Sequence, residues 1–193
     1  MNSKNLIKKI TKLVEETCKK PSNIYGYSAW SEHIKKVVYF SKLLAKKTKA
    51  DEEIVEISAL LHDYASVLDS KMYAEHEIIG AKLAQDLLKK YNYPQEKITK
   101  VKLCILNHRG SKPKIKMTIE EKCVADADAM AHFTSIGSLF YLCFNTHKLS
   151  IEESEKWILQ KLDRSYKKIS PISKKIIKPY FVAAKKIIKP YDR

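Results

Sequence analysis

The sequence predicts an all-α protein in which residues 1–193 form a single domain. Only four Gly and six Pro interrupt the 193 residues, which leaves few turn formers for a fold rich in β-strands. Lys, Glu, Leu, Ile and Ala are abundant, and all of them suit helices. Hydrophobic residues make up 45% of the sequence, so a chain of this length can bury a substantial core.

Hydrophobic periodicity and capping residues divide the chain into successive helices. The acidic run Asp51-Glu52-Glu53 begins one of them, because carboxylates are favourable at a helix N-terminus. Pro94 suits the first position of another helix, and Gly110 suits the stop after His108 and Arg109. The predicted helices are 4–20, 29–48, 52–65, 74–91, 95–109, 118–131, 133–146, 151–168 and 172–189.

The C-terminal region contains an internal repeat. The heptapeptide KKIIKPY occurs at 174–180 and again at 185–191. A period of 11 residues is about three helical turns, so both copies lie on nearly the same helix face. We expect an amphipathic helix that packs its Ile residues on the body and exposes its lysines, and we expect Pro179 to kink or break it.

Positive charge is concentrated at the two ends of the chain. Residues 1–20 contain six Lys and two Glu, residues 161–193 contain eleven Lys or Arg and two Asp, and the whole chain has a net charge of +15. Such ends can attract nucleotides, nucleic acid or acidic lipid. The alternative interpretation is that these lysines simply cover solvated helix faces.

The cellular setting is predicted from what the sequence lacks. No apolar run approaches the roughly 18–20 residues that span a bilayer, and the N-terminus has no secretory hydrophobic region. The four cysteines are scattered, without a CxxC pair, which indicates neither a zinc knuckle nor a disulfide framework. We therefore expect a cytoplasmic protein without a membrane span, and a homodimer is the commonest assembly for such a chain.

Histidine and aspartate residues lie on the apolar faces of several predicted helices. The pair His62-Asp63 ends the stretch ISALLHDYA (57–65), where buried polar groups are costly unless a partner satisfies them. The remaining candidates, each on the core-facing side of its own helix, are His33, His76, His108 and Asp128. Asp126, two residues before the last candidate, points about 200° away on a helix.

These six side chains together predict a metal site. A lone His on an apolar face is ordinarily a core residue, but four His and two Asp that all face inward are harder to explain in that way. Imidazole nitrogens and carboxylate oxygens suit Mn²⁺, Fe²⁺, Zn²⁺ and Ni²⁺.

The motifs around these residues resemble the HD-domain metal-dependent phosphohydrolases. That family has a His, then His-Asp, then a distant Asp. The corresponding segments here are WxxHIxxV at 30–37, LLHD at 60–63, His76 followed by Gly-Ala at 80–81, Asn-His at 107–108, and EEKCVADAD at 120–128. The resemblance covers residues 25–145. It implies an HD-domain helical bundle with amphipathic extensions, namely an N-terminal helix in 1–24 and basic C-terminal helices in 148–193.

The resemblance implies hydrolysis of phosphate esters or phosphoanhydrides of a nucleotide or another phosphorylated small molecule. His33, His62, Asp63 and Asp128 would hold one divalent ion (Mn, Fe, Co, Ni, Zn or Mg) that activates water, and Asp63 would also orient that water. His76 and His108 would contact the phosphate, protonate the leaving oxygen or bind a second ion. We expect one ion and two functional histidines, with two ions as the alternative.

Basic and aromatic residues near these motifs are candidates for substrate contacts. Lys36, in the place where many relatives have Arg, and Arg109 and Lys112, in the loop after His108, are expected to bind phosphate. Trp30, Tyr64 and Tyr73 are near motif residues and can stack a base, with core packing the expected role of Trp30. His132 and His147 match no motif, and we expect them to be structural or on the surface.

Two other functions fit the same features. One is a basic protein that binds nucleic acid through its ends and uses the metal site for structure. The other is a di-iron oxygenase built on the same fold and ligands.

Overall fold

The computed structural model describes residues 2–109 and 117–188, and within these ranges the chain is helical without strands, which confirms the all-α prediction. The α-helices are α1 (Ser3–Cys18), α2 (Lys35–Thr48), α3 (Glu52–Leu61), α4 (Tyr64–Leu68), α5 (His76–Lys90), α6 (Gln95–Asn107), α7 (Ile119–Phe133), α8 (Ile136–Leu142), α9 (Ile151–Lys168) and α10 (Pro171–Ile188). Short helical segments of other types are the π-helical Ala29–Ile34 and Cys143–His147 and the 3₁₀-helical Ser70–Glu75.

The predicted helices are present, but three of them are interrupted. The segment predicted as 52–65 divides after Leu61, because Asp63 has φ −105° and ψ 10° and so leaves the helical conformation. The segment predicted as 133–146 is divided by Thr134, which ends α7, and α8 begins at Ile136. The segment predicted to begin at 29 starts as a π-helix. The predicted stop at Gly110 lies outside the described residues.

The helices α2, α3, α6 and α7 form the centre of the bundle. Helix α2 packs against α3 and α7, and α6 packs against α3, α5 and α7. Their facing sides supply large side chains that are completely or almost completely buried, among them Leu44, Ile57, Leu61, Ile105 and Met130. This core holds the ends of several helices against one another, and those ends carry the histidines and aspartates predicted to bind metal.

Helix α1 is docked on the bundle by one apolar face. Its buried residues Leu6, Ile10, Val14 and Cys18 follow the spacing of a single helix face, and the helix contacts α3 and α4. The lysines of α1 are exposed on the opposite side. The N-terminal extension therefore shares the hydrophobic core of the bundle.

Replacing Ile10 with alanine is expected to lower the free energy of unfolding by about 2–5 kcal/mol. The side chain is fully buried, so its removal leaves a cavity between α1 and the bundle. Urea denaturation followed by circular dichroism measures the effect. The control is Lys8→Ala in the same helix, which is exposed and should change stability by no more than about 0.5 kcal/mol. Equal stability of the two variants would contradict the docking of α1.

Helices α9 and α10 cover α7 on another side of the bundle. Helix α9 packs against α7 and α8, and α10 packs against α7 and α9. Asp126 anchors α10, since its Oδ2 accepts hydrogen bonds from the backbone N–H of Ser170 at 3.0 Å and from the hydroxyl of Ser173 at 2.6 Å. As predicted from helical geometry, Asp126 faces away from the metal-type residues.

Pro179 does not break α10. The helix runs without interruption from Pro171 to Ile188, and the expectation of a break was wrong. Ile177 before the proline and Ala184 after it are both buried, so packing holds the two halves in register. Pro179 and Lys175 are exposed, so water can satisfy the Lys175 carbonyl that lacks its usual N–H donor.

Two further expectations concern the cysteines and the membrane. Cys18, Cys104, Cys123 and Cys143 are all free and buried, which agrees with the absence of a disulfide framework. Within 2–109 and 117–188, each helix is too short or too polar to span a bilayer.

Candidate metal centre and its cavity

Six side chains from separate parts of the chain converge at one place in the bundle. Each of the histidines and one aspartate comes from a helix end or an irregular turn. They form two groups, and within each group the ligand atoms lie within 4.8 Å of one another. Group 1 contains His33, His62 and Asp128, and group 2 contains Asp63, His76 and His108. All six were candidates from the sequence.

Asp63 lies between the two groups. Its Oδ2 is 3.3 Å from His33 Nε2 and 3.2 Å from His62 Nε2. Its Oδ1 is 3.3 Å from His76 Nε2 and 3.7 Å from His108 Nε2. One carboxylate therefore offers an oxygen to each group, which is the geometry of a bridging ligand.

Asp128 completes group 1. Its Oδ1 is 3.3 Å from His33 Nε2 and 3.9 Å from His62 Nε2, and the two histidine Nε2 atoms are 3.2 Å apart. Two ligand atoms at about 2.1 Å from one ion lie about 3.0–3.4 Å apart at octahedral or tetrahedral angles. The observed separations are close to this range, so group 1 together with Asp63 Oδ2 fits a four-ligand site.

Three of the histidines are oriented by the same backbone contact. The Nδ1 atoms of His62, His76 and His108 lie 2.8, 2.8 and 2.6 Å from the carbonyl oxygens of Ala59, Tyr73 and Ile105, each three residues earlier. A carbonyl only accepts hydrogen bonds, so each Nδ1 carries the proton and donates it. Each neutral ring therefore presents the lone pair of Nε2 to the centre, as a metal ligand must.

Group 2 provides a direct test of whether these residues fit a cation. The Nε2 atoms of His76 and His108 are 3.1 Å apart, and both rings carry their proton on Nδ1. Two lone pairs then face each other with no proton between them, which is unfavourable unless a positive ion binds both. Asp63 Oδ1 supplies a third ligand atom beside them, so the residues present fit a divalent cation.

The electrostatics of the site also favour bound positive charge. Burial opposes ionisation of Asp63, but His62 and His33 hold its pKa well below the usual range. Burial likewise opposes ionisation of Asp128, and His33 and His132 lower its pKa. Burial lowers the pKa of His33, yet Asp128 and Asp63 outweigh it and raise the pKa to about 9. A divalent cation can supply this charge in place of a proton.

The centre opens into a cavity of about 210 Å³. At about 30 Å³ for each water, such a space holds roughly seven water molecules, so the site is neither dry nor closed. The cavity reaches residues of both groups, including His33, Asp63, His76, His108 and Asp128. Metal ions, water and a phosphate group can therefore meet in the same space.

The residues predicted to bind substrate have different locations. Arg109 lines the cavity; its Nη1 donates to the Ala74 carbonyl at 3.3 Å, and its Cζ lies 5.4 Å from the centre of the Tyr73 ring. Lys36 is not among the lining residues, because its ammonium donates to Glu32 at 2.8 Å and to the Thr134 carbonyl at 2.7 Å. Lys112 lies outside the described residues.

The aromatic candidates also separate. Tyr73 lines the cavity and stacks on His76, with ring centroids 5.5 Å apart. Trp30 is buried in the core, as expected, and Tyr64 packs against the core. Tyr25 and Tyr141, which the sequence analysis did not single out, line the cavity as well. Tyr25 precedes Gly26 in the sequence, whereas Tyr141 packs against Gly26 only in the folded chain.

Two further residues of the site were missed in the sequence. His132, expected to be structural or on the surface, lines the cavity and stacks on His33 with ring centroids 5.2 Å apart; its place one turn after Asp128 was the available signal. Lys161 of α9 also lines the cavity. It was grouped with the solvated C-terminal lysines, and its position three residues after the buried Ile158 gave little indication otherwise.

Sequence comparison gives a match to one domain profile and to a longer relative. The profile of the HD domain matches residues 30–132. Ribonuclease Y of Desulforudis audaxviator is 29% identical over 100 residues, which are 52% of this chain and 18% of that protein. The chain therefore spans only about a fifth of the length of this curated relative.

Solved structures resemble the whole fold. An HD-superfamily hydrolase from Bacillus thuringiensis has a TM-score of 0.71 and 21% identity, with 97% of this chain and 95% of that chain covered. Bacillus subtilis YpgQ in complex with ADP has a TM-score of 0.66 and 17% identity, with 95% and 98% covered. At these identities the similarity shows a shared fold and nothing further.

Proposed function

Because the chain belongs to the HD-domain family, we propose that it is a metal-dependent phosphohydrolase that cleaves phosphate ester or phosphoanhydride bonds of a nucleotide-type substrate. The observation that carries the proposal is the position of Asp63, whose two oxygens face two separate groups of ligand atoms. Divalent ions at such a site activate water and neutralise charge on a phosphoryl group.

The geometry supports two ions rather than the single ion expected from the sequence. His76 and His108 each use Nδ1 to bind a backbone carbonyl and turn Nε2 toward Asp63 Oδ1. Neither ring then has a free N–H that points into the cavity for donation to a leaving group. We therefore assign both histidines to the second metal site, with Asp63 shared between the sites.

The remaining side chains would orient the substrate. Arg109 is held by the Ala74 carbonyl and by Glu77 at 3.6 Å and is placed over Tyr73, and the other N–H groups of its guanidinium can bind a phosphate oxygen beside group 2. Lys36 is withdrawn from the proposed substrate contacts because Glu32 and Thr134 occupy its ammonium. Two similar proteins are consistent with a nucleotide-type substrate. One is named a ribonuclease, and the structure of another was solved in complex with ADP.

Removal of metal is expected to abolish hydrolysis and to lower the melting temperature by about 5–10 °C. The physical reason is that the facing imidazole lone pairs and the carboxylates lose their shared cation. The experiment measures phosphate and pyrophosphate release from a panel of nucleotides and RNA oligonucleotides, with elemental analysis, before chelation, after chelation and after addition of Mn²⁺. Full activity in metal-free protein would refute the proposal.

A bridging carboxylate with histidine ligands also suits a di-iron oxygenase. Both functions can be tested on the same preparation of protein. An oxygenase loaded with iron consumes oxygen in the presence of its substrate and releases no phosphate, whereas the phosphohydrolase does the reverse. Hydrolysis with Mn²⁺ under anaerobic conditions would decide for the phosphohydrolase.

A further inference from the structure

A lysine from outside the matched domain reaches the metal centre. Lys161 belongs to α9, which begins at Ile151, whereas the HD-domain match ends at residue 132. Its side chain nevertheless lines the same cavity as Asp128 and His132. Helix α9 packs against α7, the helix that carries Asp128 and His132.

The ammonium of Lys161 has no anionic partner in the part of the chain that the structure describes. Neither a hydrogen bond nor an ion pair to a described residue holds it; its Nζ lies 5.6 Å from the centre of the Trp157 ring. Burial lowers the pKa of Lys161, and the more distant charges of Asp128 and Asp63 work against that shift. Lys161 is partly exposed and lines the cavity, so its ammonium is available to an incoming anion.

The charge of the cavity changes when metal binds. Two carboxylates, Asp63 and Asp128, and two basic side chains, Arg109 and Lys161, line the space, and Arg109 also forms an ion pair with Glu77 at 3.6 Å. Each divalent ion then adds two positive charges. The loaded cavity therefore attracts a ligand with several negative charges, and a phosphoanhydride chain carries more of them than a phosphate monoester does.

The two cations stand by different metal-ligand groups. Arg109 lies over Tyr73, which stacks on His76 of group 2. Lys161 reaches the cavity from α9, which packs against α7, the helix that carries Asp128 of group 1. A single phosphoryl group at the metal centre would not need both. We propose that Lys161 binds a second phosphoryl group of the substrate, so that the site selects organic di- and triphosphates over phosphate monoesters.

The rest of the cavity wall suits the organic part of such a ligand. Tyr25, Tyr73 and Tyr141 lie there with Leu139 and Leu142, and the rings of Tyr25 and Tyr73 are 6.4 Å apart. Tyrosine faces and leucine side chains pack well against a planar base. This inference rests on the proposed function for the identity of the site, and it adds the number of phosphoryl groups that the site requires.

The experiment compares Lys161→Met with the wild-type full-length chain, both loaded with Mn²⁺. Methionine keeps much of the length of the side chain and removes its charge. We expect calorimetric affinity for inorganic pyrophosphate to fall about tenfold or more, since a charge-assisted contact is lost, while affinity for orthophosphate changes by less than about twofold. Metal content and helical signal should stay the same. The matched control is Lys156→Met, an exposed lysine of the same helix.

The result also separates the inference from the proposed function. The inference is overturned if Lys161→Met binds pyrophosphate as tightly as wild type, if wild type does not bind pyrophosphate, or if both anions weaken equally. A hydrolysis screen that is negative in wild type, together with pyrophosphate binding that depends on Lys161, refutes the hydrolase and leaves the inference standing. A wild type that hydrolyses nucleotides with no effect of Lys161→Met refutes the inference alone.

Discussion

The variant Asp63→Asn is expected to lose hydrolysis by about 10³-fold, which corresponds to about 4 kcal/mol of transition-state stabilisation. Asparagine has nearly the same shape, but it offers one neutral carbonyl oxygen in place of two charged ones. It can therefore face group 1 or group 2 but cannot bridge them. Metal content should fall from two ions per chain to fewer than one, with the helical signal unchanged.

The matched control for this variant is Asp126→Asn. Asp126 is a neighbour of Asp128 on α7, yet it binds Ser170 and Ser173 instead of the centre. We expect this control to keep both ions and the rate of hydrolysis and to lose about 1–3 kcal/mol of stability through weaker docking of α10. If Asp63→Asn retained two ions and the wild-type rate, the bridging assignment would be wrong.

The double variant His76→Ala, His108→Ala is expected to bind one ion in place of two. Both ligands of group 2 other than Asp63 are removed, while His33, His62 and Asp128 keep their positions. Hydrolysis should fall about 10²- to 10³-fold, because stabilisation of the phosphoryl charge at the second site is lost. Elemental analysis of the purified protein, followed by Mn²⁺ titration, measures the stoichiometry directly.

The control for the double variant is His147→Ala. His147 packs on Trp157 with ring centroids 5.2 Å apart and belongs to neither ligand group. It should bind two ions and hydrolyse substrate at the wild-type rate. A double variant that still binds two ions would refute the assignment of His76 and His108 to the second metal site.

The ligand set was readable from the sequence because each residue sits on the apolar side of its own helix. Periodicity placed His33, His62, His76, His108 and Asp128 toward the interior, and the HD-domain motifs ordered them. Periodicity also separated Asp126 from Asp128 correctly. The helix face on which a residue lies does not give the distance from its side chain to another. The division of the ligands into two groups around Asp63 is therefore visible only in the three-dimensional structure.

The irregular backbone at the site was not predicted from the sequence. Asp63 leaves the helical conformation between α3 and α4, and His33 lies in a π-helical turn. Both segments continue a helical spacing of apolar residues, so that pattern predicted unbroken helices there. Tertiary packing overrides that pattern, and it does so where the ligands must turn toward one another.

The remaining differences between sequence and structure concern lysines. Lys36 was predicted to bind phosphate from its place in a motif, but nearby Glu32 captures its ammonium. Lys161 was grouped with surface lysines, since a charged residue in a basic helix gives no sign of its depth. The length of a lysine side chain lets the same residue type reach solvent or a buried cavity, so charge patterns alone cannot distinguish them.

The contacts from His62, His76 and His108 to carbonyls three residues earlier have a consequence for how the proposed activity can diversify. Ring orientation at the centre is set by main-chain atoms, which no side-chain substitution deletes. The walls of the cavity, with their tyrosines, leucines and Lys161, can thus change without disturbing the reactive core. New substrate preferences can arise by replacement of wall residues on α8 and α9, while the orientation of the histidine rings stays the same.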